Sequence, residues 1–403
     1  KTIMIMDKIK DIIAREIKDS RGEMTVEVEL KTGKGSFVAS CPSGKSTGKN
    51  EAVALPTQKA VENVNKIISP KLKDWNVSEQ KALDELMIKI GGTGNKSKLG
   101  ANAILPVSIA ICRAGAASEK LPLYSYIVKL CEVRPRNKSS LPFPSFNILE
   151  GGAHADNDLD IQEFMVVPQK KSFYENFALG NKIFNNLQKL IEENYGKNIP
   201  MGDEGGFALP ITKAEQALFL LKNAIGNEDV KIIIDAAASQ FFKTDKYILE
   251  EKEISRSELI DFYKDLVWRF PILAIEDPFQ EDDWQGFQEI VTELTETTII
   301  GDDLTTTNTK RIKEAKAKNA CNGIVIKPNQ IGTVTETIEA VKLAKSYGWK
   351  IIVSHRSGET MDSFISDLAV GIGADFIKSG SPTQPERMVK YNRLLEIENE
   401  LKS

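Results

Sequence analysis

Apolar runs typical of buried strands recur through the second half of the chain, and each stops on a residue that can carry chemistry. In order, the runs end at Asp235, Glu276, Asp302, Lys327, His355 and Lys378. From the second run onward the interval is about twenty-five residues, the length of one strand–helix unit. A short β-branched run is typical of a parallel strand buried on both faces. The pattern predicts a β/α barrel with these residues on the rim where such barrels keep their chemistry.

The first part of the chain has a different pattern. Residues 25–30 alternate between apolar and polar positions, which predicts a strand. Apolar residues then recur at helical spacing in three segments, 59–68, 79–90 and 101–119. Charged residues and the prolines of segment 141–144 follow, and these cannot continue a helix. We predict an N-terminal α+β domain over residues 1–137 and a β/α barrel over residues 141–403, which is room for one barrel of about 250 residues.

Two motifs predict where helices of the barrel begin. Thr212 with Glu215 and Ser255 with Glu258 match the capping box, in which a hydroxyl and a carboxylate exchange hydrogen bonds with each other's backbone. We therefore expect one helix to begin just after Thr212 and another just after Ser255.

Composition narrows the function classes. The net charge of −4 offers no basic surface to a polyanion, so we expect no nucleic-acid partner. The cysteines form no CxxC pair and are expected to be reduced; they are Cys41, Cys112, Cys131 and Cys321. The apolar start is too short for a signal-peptide core, and no uncharged apolar stretch is long enough to span a bilayer. We expect a cytoplasmic protein with no membrane partner.

Three carboxylates stand at successive strand ends. Because neighbouring strands lie about 4.8 Å apart, we expect Asp235, Glu276 and Asp302 to converge. Alone they would repel one another and their pKa values would rise, a cost that a divalent cation removes. An all-oxygen set without Cys or His favours Mg²⁺ before Ca²⁺ or Mn²⁺. The alternative for any single acid is a helix cap or a partner of a lysine.

Two lysines, Lys327 and Lys378, occupy later strand ends. A surface or salt-bridge role is the common alternative for a lysine at such a position. A neighbouring metal ion disfavours the protonated amine, which makes a lysine usable as a general base near neutral pH. Since the metal would also hold the charge of an enediolate, the set predicts proton abstraction beside a carboxylate.

Two loops add acids and a histidine. Segment 202–206 places Glu204 among glycines, which suits a general acid or base on backbone that approaches a ligand closely. Glycines 151 and 152 precede His154, and Gln162 and Glu163 follow shortly after, as in an active-site loop. A plain acidic turn and a structural histidine are the respective alternatives.

A third loop follows the run that ends at residue 354. It brings together His355, Arg356 and Ser357, and a guanidinium with a hydroxyl and backbone N–H groups is a phosphate-binding set. A purely structural loop is the alternative. Elsewhere, segment 42–48 contains Gly-Lys-Ser-Thr, but a nucleotide-binding P-loop needs a glycine where Ala39 stands. We interpret that segment as a mobile lid that carries hydroxyls towards a metal.

Motifs along most of the chain resemble those of the enolase family. The segments that carry the resemblance are 95–104, 162–165, 202–207, 235–239, 275–279, 301–304, 329–333 and 354–360. The resemblance implies a barrel of ββαα(βα)6 order behind a smaller α+β domain. It also implies the reversible dehydration of 2-phosphoglycerate to phosphoenolpyruvate in glycolysis and gluconeogenesis, with two Mg²⁺ per active site, the second arriving with the substrate.

Carried over position by position, the resemblance implies a role for each candidate. Lys327 matches the base that removes the C2 proton, and Glu204 matches the acid that helps the C3 hydroxyl leave, with Glu163 beside it. The implied metal ligands are Asp235, Glu276 and Asp302 for the first ion and Ser46 for the second. The implied residues on the substrate side are His154, Gln162, His355, Arg356, Ser357 and Lys378, with His355 counted among the catalytic residues.

Three positions depart from the family pattern. Lys45 replaces a usual alanine of the lid, Gln240 replaces a glutamate, and Pro328 replaces the valine after the base, which restricts Lys327 to extended backbone. The alternatives to an active enzyme are a diverged binding protein of the same fold and another lyase of the superfamily. The complete set of acid, base and metal ligands opposes the first, and the phosphate-binding set opposes the second.

The resemblance also implies a homodimer that joins the N-terminal strands to the last helix of the partner. At that interface Glu27 would face Glu396, and Arg15 would face Asn399 in place of an acid. Because like charges across an interface are unfavourable, we expect a homodimer with altered or weaker salt bridges, and a higher oligomer stays possible in this family.

Overall fold

A computed structural model describes residues 7–45, 47–132 and 141–402. The first part holds an antiparallel sheet of three strands in sequence order, β1 (Asp11–Lys18), β2 (Met24–Lys31) and β3 (Ser36–Ser40). Its helices are α1 (Thr57–Asn63), α2 (Ser69–Leu72), α3 (Gln80–Gly91), α4 (Ala101–Glu119) and α5 (Leu123–Cys131), with a π-helical turn at Val64–Ile68. Strand β2 buries Val26, Val28 and Leu30 completely, so the alternation predicted for this segment is confirmed.

Helix α4 is the central element of this part. By length and composition alone it could cross a bilayer, but 83% of it is buried inside the protein. It packs against β2, β3, α3 and α5. Its apolar character is thus explained by burial on nearly every face, as in the core helix of a globular domain.

Eight strands of the second part close a barrel, and three short strands form a side sheet. The barrel strands are β4 (Phe143–Glu150), β5 (Glu163–Pro168), β6 (Val230–Asp235), β10 (Ile272–Glu276), β11 (Thr298–Gly301), β12 (Gly323–Ile326), β13 (Lys350–Ser354) and β14 (Phe376–Lys378). The side sheet consists of β7 (Phe242–Lys243), β8 (Lys246–Leu249) and β9 (Lys252–Ile254). Strand β5 runs antiparallel to both of its neighbours, and all other barrel pairs are parallel.

Helices surround the barrel. They are α6 (Phe173–Tyr195), α7 (Ala214–Ile225), α8 (Arg256–Arg269), α9 (Trp284–Glu293), α10 (Thr309–Ala317), α11 (Pro328–Ile331), α12 (Val334–Ser346), α13 (Phe364–Gly371) and α14 (Pro385–Lys402). After two strands come two helices, and strands and helices then alternate. The ββαα(βα)6 order and the α/β fold class are therefore confirmed.

The barrel interior is filled by side chains and is not a pore. Its apolar layer consists of Met165, Val167, Ile233, Ala274, Ile300, Val325, Ile352 and Phe376. Alternate residues of the same strands point outwards into the larger core beneath the helices. Both faces of each strand are thus apolar, which is why the strands read as continuous runs in the sequence.

One of the two helix starts predicted from capping boxes is confirmed. Ser255 caps α8, and its hydroxyl accepts a hydrogen bond from the Glu258 amide at 3.3 Å. The prediction at Thr212 is wrong, because α7 begins at Ala214 with Lys213 as its cap. The Ala214 amide donates to the carboxylate of Glu250 at 3.0 Å, so a tertiary acceptor, which sequence does not show, replaces the local one.

The two parts of the chain are joined by direct contacts. The guanidinium of Arg113 in α4 donates to both oxygens of Asp362 at 2.7 Å each. Ser43 and Gly358 exchange two backbone hydrogen bonds of 2.8 and 2.9 Å. The predicted domain boundary falls at residues 133–140, outside the described residues, and stays a prediction.

All four cysteines are free and buried, as the expectation of reduced thiols requires. Burial raises the pKa of Cys41 to about 12 and the pKa of Cys131 to about 11. These thiols carry no negative charge at neutral pH and are poor nucleophiles.

Candidate active site

The strand ends meet at one rim of the barrel, as predicted. Glu276 is the last residue of β10 and lies in register with Asp235 at the end of β6. Strand β14 ends on Lys378, and three further strands are followed directly by Asp302, Lys327 and His355. Because β5 runs the other way, its first residue, Glu163, lies opposite Asp235 on the same rim.

Three of these acids surround an ammonium group, and we call Glu163, Asp235 and Glu276 the acidic cluster. Nζ of Lys378 lies 2.8 Å from both carboxylate oxygens of Glu276 and 3.2 Å from one oxygen each of Asp235 and Glu163. All four side chains are nearly inaccessible to solvent. Burial would lower the pKa of Lys378, but the surrounding carboxylates raise it well above its usual value.

The acids of this cluster are held at a cost. Burial, followed by repulsion from neighbouring carboxylates, raises the pKa values of Glu163 and Glu276 well above their usual range. Nζ of Lys378 thus places a positive charge where four carboxylate oxygens of the acidic cluster converge. A hard divalent cation suits such a donor set, because every ligand atom is an oxygen.

The next acid along the rim is paired with the next lysine. Nζ of Lys327 donates to Asp302, and the side-chain amide of Gln330 donates to the other oxygen of Asp302 at 2.9 Å. Burial would lower the pKa of Lys327, but the carboxylate of Asp302 raises it. The amine is therefore protonated in this arrangement.

Pro328 explains the posture of this lysine. It occupies the first turn of α11, where its missing N–H costs nothing, and Lys327 before it is extended at φ −125° and ψ 103°. The restriction expected from Pro328 is thus present. It holds Lys327 at the rim, with its amide donating to the hydroxyl of Thr307 at 3.0 Å.

A second acidic group lies beside Asp302. The ligand atoms of Asp277, Asp302 and Asp303 lie within 4.8 Å of one another. Asp277 has a left-handed backbone, with φ of 40°, and its carboxylate accepts from the amides of Asp302 at 3.0 Å and Asp303 at 2.7 Å. Asp277 therefore fixes the turn that presents Asp302 and Asp303.

The predicted metal trio is less compact than expected. Within the described ranges, the groups of three ligand residues spaced within 4.8 Å are the one above and His154, Glu163 and Glu204. Asp235, Glu276 and Asp302 are not such a group. Lys378 engages the first two and Lys327 engages the third, so ammonium groups take the place that was expected for a metal. Ser46, predicted to bind a second metal, lies outside the described residues.

On the other side of the pocket, Glu204, His154 and His355 form a group that we call the histidine cluster. Nε2 of His355 lies 2.9 Å from one oxygen of Glu204, and Nδ1 of His154 lies 3.7 Å from the other. The side-chain amide of Asn147 also donates to Glu204 at 3.2 Å. Burial is the main cause that lowers the pKa of His355 to about 3, so this imidazole is neutral at physiological pH.

The contacts of Glu150 explain why glycines lie near Glu204 in this loop. The carboxylate of Glu150, the last residue of β4, accepts from the amides of Glu204 at 3.1 Å and Gly206 at 2.5 Å. A Cβ atom at Gly202 would come within 2.2 Å of Glu150, and one at Gly206 within 2.8 Å. The buried carboxylate of Glu150 therefore lies against this loop and leaves room only for glycine at positions 202 and 206.

The predicted phosphate-binding residues line the same cavity but already have partners. Arg356 pairs with the carboxylate of Glu51 at 2.9 and 3.2 Å, and also donates to the side chain of Asn329 at 2.9 Å. The hydroxyl of Ser357 accepts from the amide of Lys45 at 2.8 Å. The lid thus lies on the predicted phosphate loop, and Glu51 supplies Arg356 with an anion.

Two of the departures from the family pattern also have contacts at the rim. The side chain of Gln240 donates to Gln162 and accepts from the amide of Ala153 at 2.7 Å, so it links two loops of the site. Nζ of Lys45 lies 3.1 Å from the carboxylate of Asp203, the residue before Glu204. Lys45 therefore reaches from the lid to the loop of the histidine cluster.

One cavity brings the candidates together. Of the predicted site residues, those lining it are His154, Gln162, Glu163, Glu204, Asp235, Asp302, Lys327, His355, Arg356, Ser357 and Lys378. Glu276 joins them through Lys378. Sequence reasoning missed Glu51, Asp277 and Asp303, which line it too. Asp277 and Asp303 directly follow predicted acids, which is a signal that could have found them, whereas Glu51 lies about 300 residues from its partner Arg356.

Two family models match the chain. The model described as "Enolase, N-terminal domain" matches residues 9–127. The model described as "Enolase, C-terminal TIM barrel domain" matches residues 138–403. The matches agree in order and extent with the sheet-containing first part and the barrel.

Proposed function

The chain belongs to the enolase family, so it is an enolase-type lyase, and we propose that it interconverts 2-phosphoglycerate and phosphoenolpyruvate in glycolysis and gluconeogenesis. The observation that carries this proposal is a single cavity lined by a lysine base candidate, a buried acid candidate and an arginine–serine pair suited to phosphate. A lyase acting on a substrate without phosphate would have no use for that pair.

Each residue has a defined task in the proposed reaction. The amine of Lys327 takes the proton from C2, and the electron pair left behind forms the C2–C3 double bond as the C3–O bond breaks. Glu204 takes up a proton before turnover and gives it to the departing hydroxyl, which leaves as water. Arg356 and Ser357 hold the phosphate, and Lys378 pairs with the substrate carboxylate, with Glu163, His154, Gln162 and His355 around the reacting atoms.

We propose Mg²⁺ as the cofactor, two ions per site, the second arriving with the substrate. Asp235, Glu276 and Asp302 would hold the first and Ser46 the second, and the bound ions would stabilise the negative charge that develops on the substrate carboxylate. Occupation of the first site would release Lys378 from the acidic cluster and Lys327 from Asp302. Both lysines would then be available to the substrate.

The ultraviolet absorbance of phosphoenolpyruvate tests the proposal directly. We expect 2-phosphoglycerate to be converted in the presence of Mg²⁺ and the conversion to stop when a chelator is added. A diverged binding protein would bind the substrate without turnover. Another lyase of the superfamily would leave 2-phosphoglycerate intact but exchange a proton beside the carboxylate of a different acid. Either result would overturn the proposal.

We also propose a cytoplasmic homodimer with weakened salt bridges at its interface. Arg15 donates to Glu27 at 2.8 Å within one chain, and Arg393 lies 3.1 Å from Glu396. The charges expected to face one another across the interface are therefore neutralised inside each protomer. Sedimentation should show a dimer that dissociates readily on dilution; a tight dimer insensitive to salt, or a monomer at all concentrations, would contradict the proposal.

A further inference from the structure

A buried arginine outside the predicted set touches both loops of the histidine cluster. Arg387 is the third residue of α14 and has no solvent-accessible surface. Its guanidinium donates to Nδ1 of His355 at 2.7 Å and to the carbonyls of Arg356 at 2.6 Å and Ser357 at 2.7 Å. It also donates to the carbonyl of Asp203 at 3.0 Å, next to Glu204.

These bonds use the whole guanidinium. Nη1 and Nη2 make two bonds each, and Nε donates to the side chain of Gln384 at 3.3 Å. A guanidinium has five N–H donors, has no acceptor and is not deprotonated in proteins. Each of these five partners of Arg387 must therefore accept a hydrogen bond, and for His355 this means that Nδ1 carries a lone pair.

From this contact we propose that Arg387 is a positioning residue that fixes His355 as the neutral tautomer with its proton on Nε2. Nε2 itself lies 2.9 Å from a carboxylate oxygen of Glu204. Protonation of Nδ1 would place an N–H against the guanidinium and break the bond. The inference rests on the proposed function for its meaning in catalysis, but its physical content is a tautomer.

The other charged groups near His355 act in opposite directions. The carboxylate of Glu204 favours an imidazolium, whereas burial, Arg387 and Lys378 of β14 oppose it, and together these oppose it more strongly. Of the two cations, Arg387 and Lys378, Arg387 is the one whose side chain contacts the imidazole ring. By holding the carbonyls of Asp203, Arg356 and Ser357, it also sets the spacing between the Glu204 loop and the phosphate loop.

Nitrogen NMR tests the tautomer without any substrate. The chain has two histidines, His154 and His355, so ¹⁵N-histidine labelling gives two ring systems that His154→Gln assigns. We expect His355 to show an unprotonated Nδ1 and a protonated Nε2 throughout about pH 5 to 8, the range in which an ordinary imidazole titrates. A protonated Nδ1 in the native chain would overturn the proposal.

Variants of the same helix give the matched comparison. In Arg387→Met we expect His355 to titrate or exchange between tautomers, and the turnover number to fall on the order of 10²-fold as the loops lose their spacing. Arg393→Met removes another arginine contact of α14, the partly buried pair with Asp367 at 2.9 Å, and should leave the His355 spectrum unchanged. A native His355 spectrum in Arg387→Met would overturn the proposal.

Two further results keep the test decisive. Should Arg387→Met fail to fold, Arg387→Lys retains the charge but cannot serve five acceptors, and the native spectrum alone still decides the tautomer. A native chain with the expected spectrum that does not convert 2-phosphoglycerate would refute the proposed function and support the Arg387–His355 assignment.

Discussion

The acidic cluster and the histidine cluster surround their buried carboxylates with different partners. Glu163, Asp235 and Glu276 share an ammonium group at the end of a flexible side chain. Glu204 is met by a neutral imidazole and an amide, and its loop is fixed by the carboxylate of Glu150. The first arrangement can exchange one cation for another, whereas the second keeps one group in one place. The difference separates a region suited to binding ions from a region suited to moving a proton.

The largest effect is expected at Lys327, the proposed base. Lys327→Ala removes the proposed base, and we expect the turnover number to fall roughly 10²- to 10⁴-fold with little change in KM. Steady-state absorbance of phosphoenolpyruvate measures this. The control is Lys313→Ala on the exposed face of α10, which should behave as the native chain does. Near-native turnover of Lys327→Ala would remove the base assignment.

Metal binding tests whether a divalent cation can replace the ammonium group of Lys378 in the acidic cluster. We expect Mg²⁺ at about 100 times its Kd to stabilise the native fold by about 2.7 kcal/mol, seen as a higher Tm in thermal unfolding with and without chelator. Glu276→Gln should lose most of this gain, because one of the proposed ligands is gone. The exposed Glu293→Gln should keep the gain. Equal stabilisation of both variants would place the metal elsewhere.

A pH dependence sharpens the contrast in the metal-free protein. Burial, with Asp302 beside it, raises the pKa of Asp303 to about 8. Below about pH 4 both folded and unfolded chains hold this proton, whereas from there to about pH 8 only the folded chain does. Stability should therefore fall as pH rises through this window, by up to about 1.4 kcal/mol per pH unit.

Chemical denaturation at several pH values in chelator measures that slope. Asp303→Asn should flatten it, and the exposed Asp265→Asn should leave it unchanged. Because Glu163 and Glu276 also have raised pKa values, they add to the fall in the same direction. A stability that increases with pH across the window would contradict this account of the acidic side.

The smallest effect is expected at Lys45, the cation that approaches the histidine side. Its pair with Asp203 is about half exposed on the lysine side, and exposed pairs contribute roughly 0.2–1 kcal/mol. Lys45→Ala should therefore change KM by no more than about fivefold and leave the tautomer of His355 unchanged. Lys49→Ala, which breaks the exposed pair with Asp282, is the matched control. A change of several orders of magnitude would make Lys45 part of the catalytic set.

The strand ends could be predicted from sequence because a strand buried on both faces is a continuous apolar run. The first polar residue after the run marks the end of the strand. Glu163 was found only through a motif, since its strand is reversed and begins with the residue. Asp277 depends on a left-handed backbone that no periodicity reveals. Arg387 and Glu51 contact Arg356 from elements distant in the sequence, and only the folded chain brings these residues together.

The lysines of the acidic side show a further limit of sequence reasoning. Residue types and spacing indicated that Lys327 and Lys378 lie near Asp302, Glu276 and Asp235, and the structure brings them together. Whether a metal ion or an ammonium group lies between the acids depends on the relative free energies of the competing ion pairs. The sequence does not give these free energies. The predicted gathering of acids and lysines is therefore present, with ammonium groups at its centre.

The inaccessible thiols make this chain a convenient host for optical probes. A maleimide dye would leave Cys41, Cys112, Cys131 and Cys321 untouched, because each is buried. One cysteine introduced at an exposed position would then be the sole point of attachment, with no need to strip native residues first. A fluorophore placed in this way on segment 42–48 would show whether the predicted lid moves, in the otherwise unaltered protein.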